Sequence, residues 1–293
     1  MARIPVTLAL GGGGARGAAH LGVIEALEQS GYEIKRIVGV SIGSVLGSMY
    51  ALHADIDRVK STVLEYLTSD KFQQTQRVLF GARKSNGDQA GGMFGWYDKI
   101  KSYMRGNRVF HRVATHPSML PGVMLQDIYG NLVPDGNIED TAIPLSIVAL
   151  DLRTGDRVVL ESGPLRIAAQ ASSAIPGIFP PVPHQGMQLC DIGTCNSLPA
   201  GVARNYQPRF VIGVDVSSPL TPIDGCESAL DVLIRVNELG EAMCRQHARS
   251  LADLVIQPDV GSVKWYDFSQ TDRLIEAGFT AGLAAMRRAR LAA

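Results

Sequence analysis

The sequence predicts an α/β protein in which a mostly parallel β-sheet is flanked by helices. The chain opens with an apolar run, a glycine-rich loop, a helical pattern and a second apolar run, and further buried runs lie at 145–150 and 209–216. Parallel strands need a crossover connection, usually a helix, so this alternation indicates a three-layer α/β/α arrangement. We expect a single domain over 1–293, with a core at 5–285 and a less regular insertion at 70–140.

The first elements follow from the spacing of apolar residues. Residues 5–10 are a short apolar run typical of a strand, and the glycines after it cannot continue the strand. Apolar residues recur at helical spacing over 18–27, and residues 36–40 form the second strand. Helical spacing returns over 42–52 and 55–68.

The second half predicts strands and helices in alternation, including one hairpin around a turn at Thr154-Gly155. Four prolines between 176 and 183 predict a stiff, extended connection. The strands are expected at 145–150, 157–161, 187–190, 209–216 and 251–257, and the helices at 164–174, 229–250 and 270–292.

The charge balance excludes one class of partner and points to another. The 293 residues carry 28 basic and 28 acidic side chains, so the formal net charge is zero and a uniformly basic nucleic-acid binder is excluded. Residues 71–112 hold nine basic and two acidic side chains, interleaved with aromatic residues. This pattern suits an anionic membrane surface, while an ordinary solvated insertion is the alternative.

The sequence offers no cofactor or metal motif and no export signal. The four cysteines form no CxxC pair, so we expect reduced, mostly buried thiols and no structural zinc. The apolar run at the N-terminus is too short for a signal sequence, and no stretch reaches the length that spans a bilayer. We therefore expect a cytoplasmic protein that contacts membranes peripherally.

Residues 11–17, GGGGARG, form a loop between a strand and a helix. Glycines let the backbone turn and present its N–H groups, and the helix N-terminus adds positive partial charge, so the loop should bind an anion. Either a phosphate or an oxyanion formed during acyl transfer would fit. A dinucleotide site would also need an acidic residue at the end of the second strand, and Ser41 stands there instead.

Ser41 is the candidate nucleophile. Residues 39–43, GVSIG, match the G-x-S-x-G pattern at a strand-to-helix junction, where a sharp turn exposes the serine hydroxyl. Gly39 and Gly43 would relieve crowding at this turn, and the helix N-terminus would stabilise negative charge. The alternative is a serine that only caps the helix.

Asp191 is the candidate base. A histidine triad is disfavoured because the one late histidine, His247, lies inside a long helix between arginines, and because Ser41 comes too early for the usual α/β-hydrolase order. Asp191 ends a predicted strand, on the rim where strand ends meet, and a Ser–Asp dyad is chemically competent. A turn aspartate is the equal alternative. The six histidines considered are His20, His53, His111, His116, His184 and His247.

Together these motifs resemble the patatin-like phospholipase family. The resemblance rests on GGGARG at 12–17, GVSIG at 39–43, ASSAIPGIFPP at 171–181, and Asp191 before Gly193. It extends over about residues 5–285 and is weakest between 70 and 140.

The resemblance implies a serine acyl-ester hydrolase of the phospholipase A or lysophospholipase type, with no cofactor and no metal. Ser41 would be the nucleophile and Asp191 the general base. The N–H groups of Gly12, Gly13 and Gly14 would form the oxyanion hole.

Arg16 and Gly17 would support that glycine loop, Arg16 through hydrogen bonds rather than substrate contact. The substrate would be a phospholipid or lysophospholipid, and a dimer is left open.

One position departs from the family pattern. The family usually has glycine after the catalytic aspartate, and this chain has Ile192. A β-branched residue adopts positive φ only at a cost, so a family-like loop would have to differ here. The alternative function is therefore a catalytically weak regulatory or lipid-binding protein on the same fold.

Overall fold

The computed structural model describes residues 3–80 and 115–292. Its centre is an eight-stranded sheet, which matches the α/β class expected from the sequence. The strands are β1 (Ile4–Leu10), β2 (Tyr32–Val40), β3 (Leu145–Asp151), β4 (Arg157–Leu160), β5 (Val182–His184), β6 (Met187–Cys190), β7 (Val211–Val214) and β8 (Leu254–Ile256).

The sheet is mostly parallel. Hydrogen-bonded neighbours follow the order β5-β6-β3-β2-β1-β7-β8, and β4 also pairs with β3. The pairs β1–β2, β2–β3, β1–β7 and β7–β8 are parallel, whereas β3–β4, β3–β6 and β5–β6 are antiparallel. The antiparallel strands all gather on the β3 side of the sheet.

Helices cover both faces of the sheet. In the described ranges they are α1 (Ala19–Gln29), α2 (Ile42–His53), α3 (Ile56–Thr68), α4 (Asp70–Phe80), α5 (Gly122–Leu132), α6 (Leu165–Ser173), α7 (Ala200–Asn205), α8 (Ala229–Ser250) and α9 (Thr271–Ala292). Gly14–Ala18 forms a 3-10 turn that leads directly into α1.

Alternate strand residues build two separate cores. Leu8 and Leu10 of β1 point into the larger core, where they meet residues of α1, α2 and α9. Ala9 points the other way, into a smaller core that includes residues of α7 and Ala248 of α8. This alternation is the two-residue period of a strand, and it produces three layers.

The hydrogen-bond register of β3 brings the ends of β2 and β6 together. Val40 of β2 lies opposite Val148, and Cys190 of β6 lies opposite Leu150. Since β4 pairs with both Val148 and Leu150, it occupies one edge of β3, and β2 and β6 share the other edge. Ser41 follows Val40, and Asp191 follows Cys190. Both residues therefore lie at the level of Ala149, which β2 and β6 approach from opposite directions.

Two parts of the chain are more regular than the sequence indicated. Within the segment 70–140, α4 and α5 are helices, and the proline-rich connection contains β5, which pairs with β6. Of the basic segment 71–112, the part from 81 onward lies outside the described residues. No helix in the described ranges is long and apolar enough to cross a membrane.

Candidate active site

Ser41 occupies a strained turn between β2 and α2. Its backbone has φ 52° and ψ −126°, a conformation that non-glycine residues adopt at a cost of about 1–3 kcal/mol. The Ser41 N–H donates to Ser172 Oγ at 2.9 Å, and Ser172 in turn donates to the carbonyl of Val148 at 2.7 Å. The Ser41 carbonyl accepts the N–H and the hydroxyl of Ser44. These bonds hold the turn in place.

The two glycines around Ser41 allow close packing of the backbone. A Cβ atom at Gly43 would lie 2.3 Å from the carbonyl oxygen of Leu10, and one at Gly39 would lie 2.5 Å from Cα of Ser44. Any side chain at either position would therefore displace the turn. This explains why the motif requires glycine at both positions.

Asp191 lies beside Ser41, as the shared edge of β3 requires. Its carboxyl group is buried and accepts the Gly193 N–H at 2.6 Å. Burial raises the pKa of the Asp191 carboxyl to about 6, and the nearby Ser41 hydroxyl and the Gly193 N–H oppose this rise only in part. The group is therefore largely ionised at neutral pH and more basic than an exposed aspartate.

Ile192 fits its position without backbone strain. It opens a short 3-10 turn over Ile192–Thr194, and it is absent from the non-glycine residues of positive φ in the described ranges. Its side chain is buried in the smaller core with Val38 and Val40. The isoleucine thus anchors the loop through packing, and the Gly193 N–H still reaches Asp191.

The glycine loop differs in one respect from the expected oxyanion hole. The Gly12 N–H donates to the carbonyl of Ser197 at 2.8 Å, so this N–H is occupied within the chain. Gly13 and Gly14 donate to no acceptor among the residues that the structure describes. The donors open to an anion are therefore those of Gly13 and Gly14, whereas Gly12 supplies close contact: a Cβ there would lie 3.4 Å from Ser41 Cβ.

Arg16 holds the glycine loop from behind. Its Nε–H donates to the Gly13 carbonyl at 3.2 Å, and its guanidinium also donates to Ser218. Burial, and then the nearby Arg245, lower the Arg16 pKa to about 10, so the group stays charged at neutral pH. Gly17, one residue on, packs against Ile42 and so links the loop to α2.

His20 is a site residue that the sequence indicated only as a possible base. Its imidazole is fully buried, and Nε2–H donates to the Gly11 carbonyl at 2.8 Å. Burial lowers the His20 pKa to about 4, so the ring is neutral. His20 thus supports the start of the glycine loop. In the sequence, the only indication of this role was that His20 lies among apolar residues of α1, shortly after the glycine loop.

Ser41, Asp191, Arg16 and residues 12–14 line a cleft of about 700 Å³. Ser41 and Asp191 lie on its wall beside Gly13 and Gly14, and Ile175, Ile178, Leu220 and Ile223 supply apolar lining. Further lining comes from α8 and from the loop before it.

The described residues contain no group of three or more histidine, cysteine, aspartate or glutamate side chains that could hold a metal ion. All four cysteines are free thiols, but the expectation that most are buried is wrong, because only Cys190 is buried. Burial raises the Cys190 pKa to about 12, which makes this thiol unreactive at neutral pH.

Comparison with known proteins identifies the family. The family model described as patatin-like phospholipase matches residues 8–204. The chain belongs to the patatin-like phospholipase family. This supports lipid acyl hydrolysis at the level of the family.

Three curated relatives illustrate the similarity of this patatin-like chain. A patatin-like phospholipase domain-containing protein of Caenorhabditis elegans is 32% identical over 73% of the chain and 14% of its own length. Human patatin-like phospholipase domain-containing protein 6 is also 32% identical, over 73% of the chain and 13% of its own length. An NTE family protein of Mycobacterium tuberculosis is 27% identical over 96% of the chain and 46% of its own length. The chain thus spans less than half of each of these three relatives.

A solved structure supports the fold. VipD from Legionella pneumophila superposes with a TM-score of 0.50 and 14% identity, over 98% of this chain and 67% of that chain. At this identity the similarity concerns the patatin-like α/β/α fold alone.

Proposed function

We propose that the protein is a serine acyl-ester hydrolase that acts on lipids, of the phospholipase A or lysophospholipase type. The observation that carries this proposal is that Ser41, on a strained turn, and the buried Asp191 carboxyl group meet at the edge of β3 and line the same partly apolar cleft. A strained serine at a strand-to-helix turn with a buried base is the arrangement that nucleophilic catalysis needs.

In the first half-reaction, Ser41 Oγ attacks the carbonyl carbon of the ester and its proton passes to the Asp191 carboxylate. The resulting tetrahedral oxyanion would be stabilised by the N–H groups of Gly13 and Gly14, which lie in the same cleft and are free of acceptors in the described residues. Collapse breaks the ester C–O bond. Asp191 returns the proton to the departing alcohol, and the acyl group stays on Ser41.

In the second half-reaction, water replaces the alcohol. Asp191 accepts a proton from water, the hydroxide attacks the acyl-enzyme, and a second oxyanion forms at the same two N–H groups. Collapse returns the proton to Ser41 Oγ and releases the fatty acid. A carboxylate with a pKa of about 6 is a stronger base than an ordinary aspartate while remaining ionised at neutral pH.

The surroundings favour Asp191 over a histidine as the base. None of the histidines in the described ranges lines the cleft. His20 is near the glycine loop, but its Nε2 is committed to the Gly11 carbonyl and its pKa is depressed. The carboxyl group of Asp191 lines the cleft beside Ser41, and the Ser41 hydroxyl is near enough to lower its pKa.

The proposal is tested by covalent labelling with a fluorophosphonate and by hydrolysis of a short-chain p-nitrophenyl ester. Ser41→Ala should lose labelling and lower turnover at least about a thousandfold, because no other nucleophile is placed on the turn. Ser262→Ala is the matched control, since Ser262 is an exposed serine lining the same cleft. Unchanged labelling of Ser41→Ala would refute the mechanism. Lysophospholipid binding without any labelling of the wild type would favour the lipid-binding alternative.

The basic segment 71–112 gives a second, separate proposal about membranes. Its net charge of +7 should attract anionic lipid. Within the described part, Lys71 is paired with Asp127 at 2.7 Å. Co-sedimentation with anionic vesicles should weaken when salt is raised. Equal binding to neutral and anionic vesicles would contradict this role.

A further inference from the structure

Helix α8 turns its charged residues inward and leaves five large apolar residues on the outside. Every Asp, Glu and Arg side chain of the helix is at least partly buried, whereas these five aliphatic or methionine side chains are exposed. A surface helix normally shows the reverse pattern. The inward residues are Asp231, Arg235, Glu238, Glu241, Arg245 and Arg249, and the exposed apolar ones are Val232, Leu233, Val236, Leu239 and Met243.

The inward charges have partners that fix this orientation. Asp231 forms a capping box with Ser228 at the start of the helix. Arg235 pairs with Glu238 at 3.2 Å. Nearer the C-terminal end, Arg245 and Arg249 approach the buried carboxylate of Asp215, which follows β7, at 3.9 and 3.6 Å. If the helix were rotated to bury its apolar face, these charged residues would turn to solvent and lose their partners. The ion pairs therefore hold the apolar face outward.

The outer apolar face forms one continuous stripe. Val232, Val236, Leu239 and Met243 follow the spacing of one side of an α-helix, and Leu233 lies beside them. Leu233, Val236 and Met243 are 68%, 60% and 72% exposed. The stripe is about 17 Å long at 1.5 Å per residue. No charged residue is exposed on this face between 229 and 244.

The stripe adjoins the entrance to the cleft. Leu220 and Ile223, in the loop before α8, are exposed and also line the cleft that holds Ser41. Asn237 on α8 likewise is exposed and lines it. The residues of α8 that line the cleft are polar or charged, so the apolar link runs through this loop, which Arg235 of α8 holds by donating to the Thr221 carbonyl at 3.0 Å.

We propose that the outer face of α8 and residues 219–223 form a lipid-docking surface that places the cleft entrance at the bilayer interface. The stripe exposes no charged side chain, so it can enter the hydrocarbon part of a bilayer without burying a charge. Moreover, the surface is continuous with a cleft whose family hydrolyses lipids, so its substrate could pass from bilayer to Ser41 without crossing water. This proposal rests on the proposed function, because docking to a bilayer serves a protein that acts on lipids. A second copy bound to the same face would cover the loop at the entrance, which argues against a dimer there.

An apolar helix face inserts about 5–10 Å into the headgroup and acyl boundary. The binding energy then comes from apolar area and not from charge, so it should be insensitive to salt. This separates the surface on α8 from the basic segment, whose attraction to lipid should be screened.

The test measures co-sedimentation with neutral phosphatidylcholine vesicles in a Ser41→Ala background, which prevents turnover during the assay. The stripe variant carries Leu233→Ser, Val236→Ser and Met243→Ser, and should lower the partition coefficient at least about tenfold at both low and high salt. The control variant carries Val123→Ser, Leu152→Ser and Ile167→Ser, three exposed apolar residues away from the cleft. It should bind as the parent does.

Three outcomes would overturn the proposal. The first is unchanged vesicle binding by the stripe variant, and the second is neutral-vesicle binding that disappears at high salt. The third is a Ser41→Ala protein that sediments as a dimer without lipid while the stripe variant sediments as a monomer, which would assign the face to a second copy. Fluorophosphonate labelling of the stripe variant with Ser41 restored should equal that of wild type. If the wild type is not labelled but still binds vesicles, the hydrolase proposal is wrong and the docking proposal is retained.

Discussion

The Asp191 carboxyl group should set the acid limit of activity. Its pKa is raised by burial to about 6, and it must be ionised to accept the Ser41 proton. We therefore expect kcat/KM for a water-soluble ester to fall about tenfold per pH unit below about 6 and to level off above it. A pH–rate profile checks this. An acid limb near pH 4, the ordinary range of an aspartate, would contradict the role of burial.

The same pKa shift means that the ionised Asp191 carboxylate lowers the free energy of unfolding at neutral pH. The folded protein holds the proton more tightly than the unfolded chain, so stability should fall as pH rises from about 4 to about 6 and then stay low. Two pKa units correspond to about 3 kcal/mol.

Asp191→Asn removes this charge while keeping an acceptor for the Gly193 N–H. We expect it to raise the free energy of unfolding by up to about 3 kcal/mol at pH 8 and to have little effect at pH 4, with turnover lost at both. Urea unfolding at the two pH values measures the difference. An Asn variant less stable than wild type at pH 8 would contradict burial as the cause.

Individual residues differ in how far the sequence predicted their surroundings. Ser41 and Asp191 could be selected because G-x-S-x-G and a strand-end carboxylate each have a chemical meaning of their own. The capture of the Gly12 N–H by Ser197 could not, because it depends on a loop 185 positions away in the chain. The same holds for the His20 contact with the Gly11 carbonyl, since neutral buried histidines carry no local motif.

At the scale of elements, the turn between β2 and α2 depends on how closely α2 approaches the end of β1. A methyl group at Gly43 would lie 2.3 Å from the Leu10 carbonyl oxygen, a backbone atom that cannot move aside cheaply. We expect Gly43→Ala to destabilise the protein by at least about 2 kcal/mol and to slow fluorophosphonate labelling.

Gly130→Ala is the control for this substitution. Gly130 lies within α5, and a Cβ there meets no atom within 4 Å. This change should be neutral or raise the free energy of unfolding by up to about 1 kcal/mol, because alanine favours the helix. Equal effects of the two variants in thermal unfolding would show that close packing at Gly43 is unimportant.

Elements with strong local patterns were predicted well. The helix expected over 229–250 is α8, with a capping box at its start, and the strand expected over 187–190 is β6. β5 was missed because proline argues against a strand, whereas this short strand lies at the edge of the sheet, where proline is tolerated. The sequence predicted the helix over 229–250 but not the outward direction of its apolar face, which depends on Asp215 and other distant partners.

At the scale of the whole molecule, the sheet and the cleft extend beyond the region that the family model matches. That match ends at residue 204, yet β7 pairs with β1 in the middle of the sheet, and α8 forms one wall of the cleft. The last third of the chain is therefore part of the same structural unit as Ser41.

We expect a chain ended after Asn205 to lose cooperative unfolding and fluorophosphonate labelling, because β1 would become an open edge and the larger core would lose α9. A chain ended after Arg288 keeps nearly all of α9 and serves as the control. Thermal unfolding and labelling of both chains test this. A cooperative, labelled chain of residues 1–205 would show that β7, β8, α8 and α9 are dispensable.

The meeting of β2 and β6 along one edge of β3 has a consequence for how the protein can change. The distance between the serine and its partner carboxylate is set by backbone ladders on a shared strand, and not by the length of chain that runs from residue 42 to 190. Much of that intervening chain is consequently free to lengthen, shrink or exchange surfaces while the chemistry stays in register. Changes in that segment could therefore alter the selectivity for one lipid or another without moving Ser41 or Asp191.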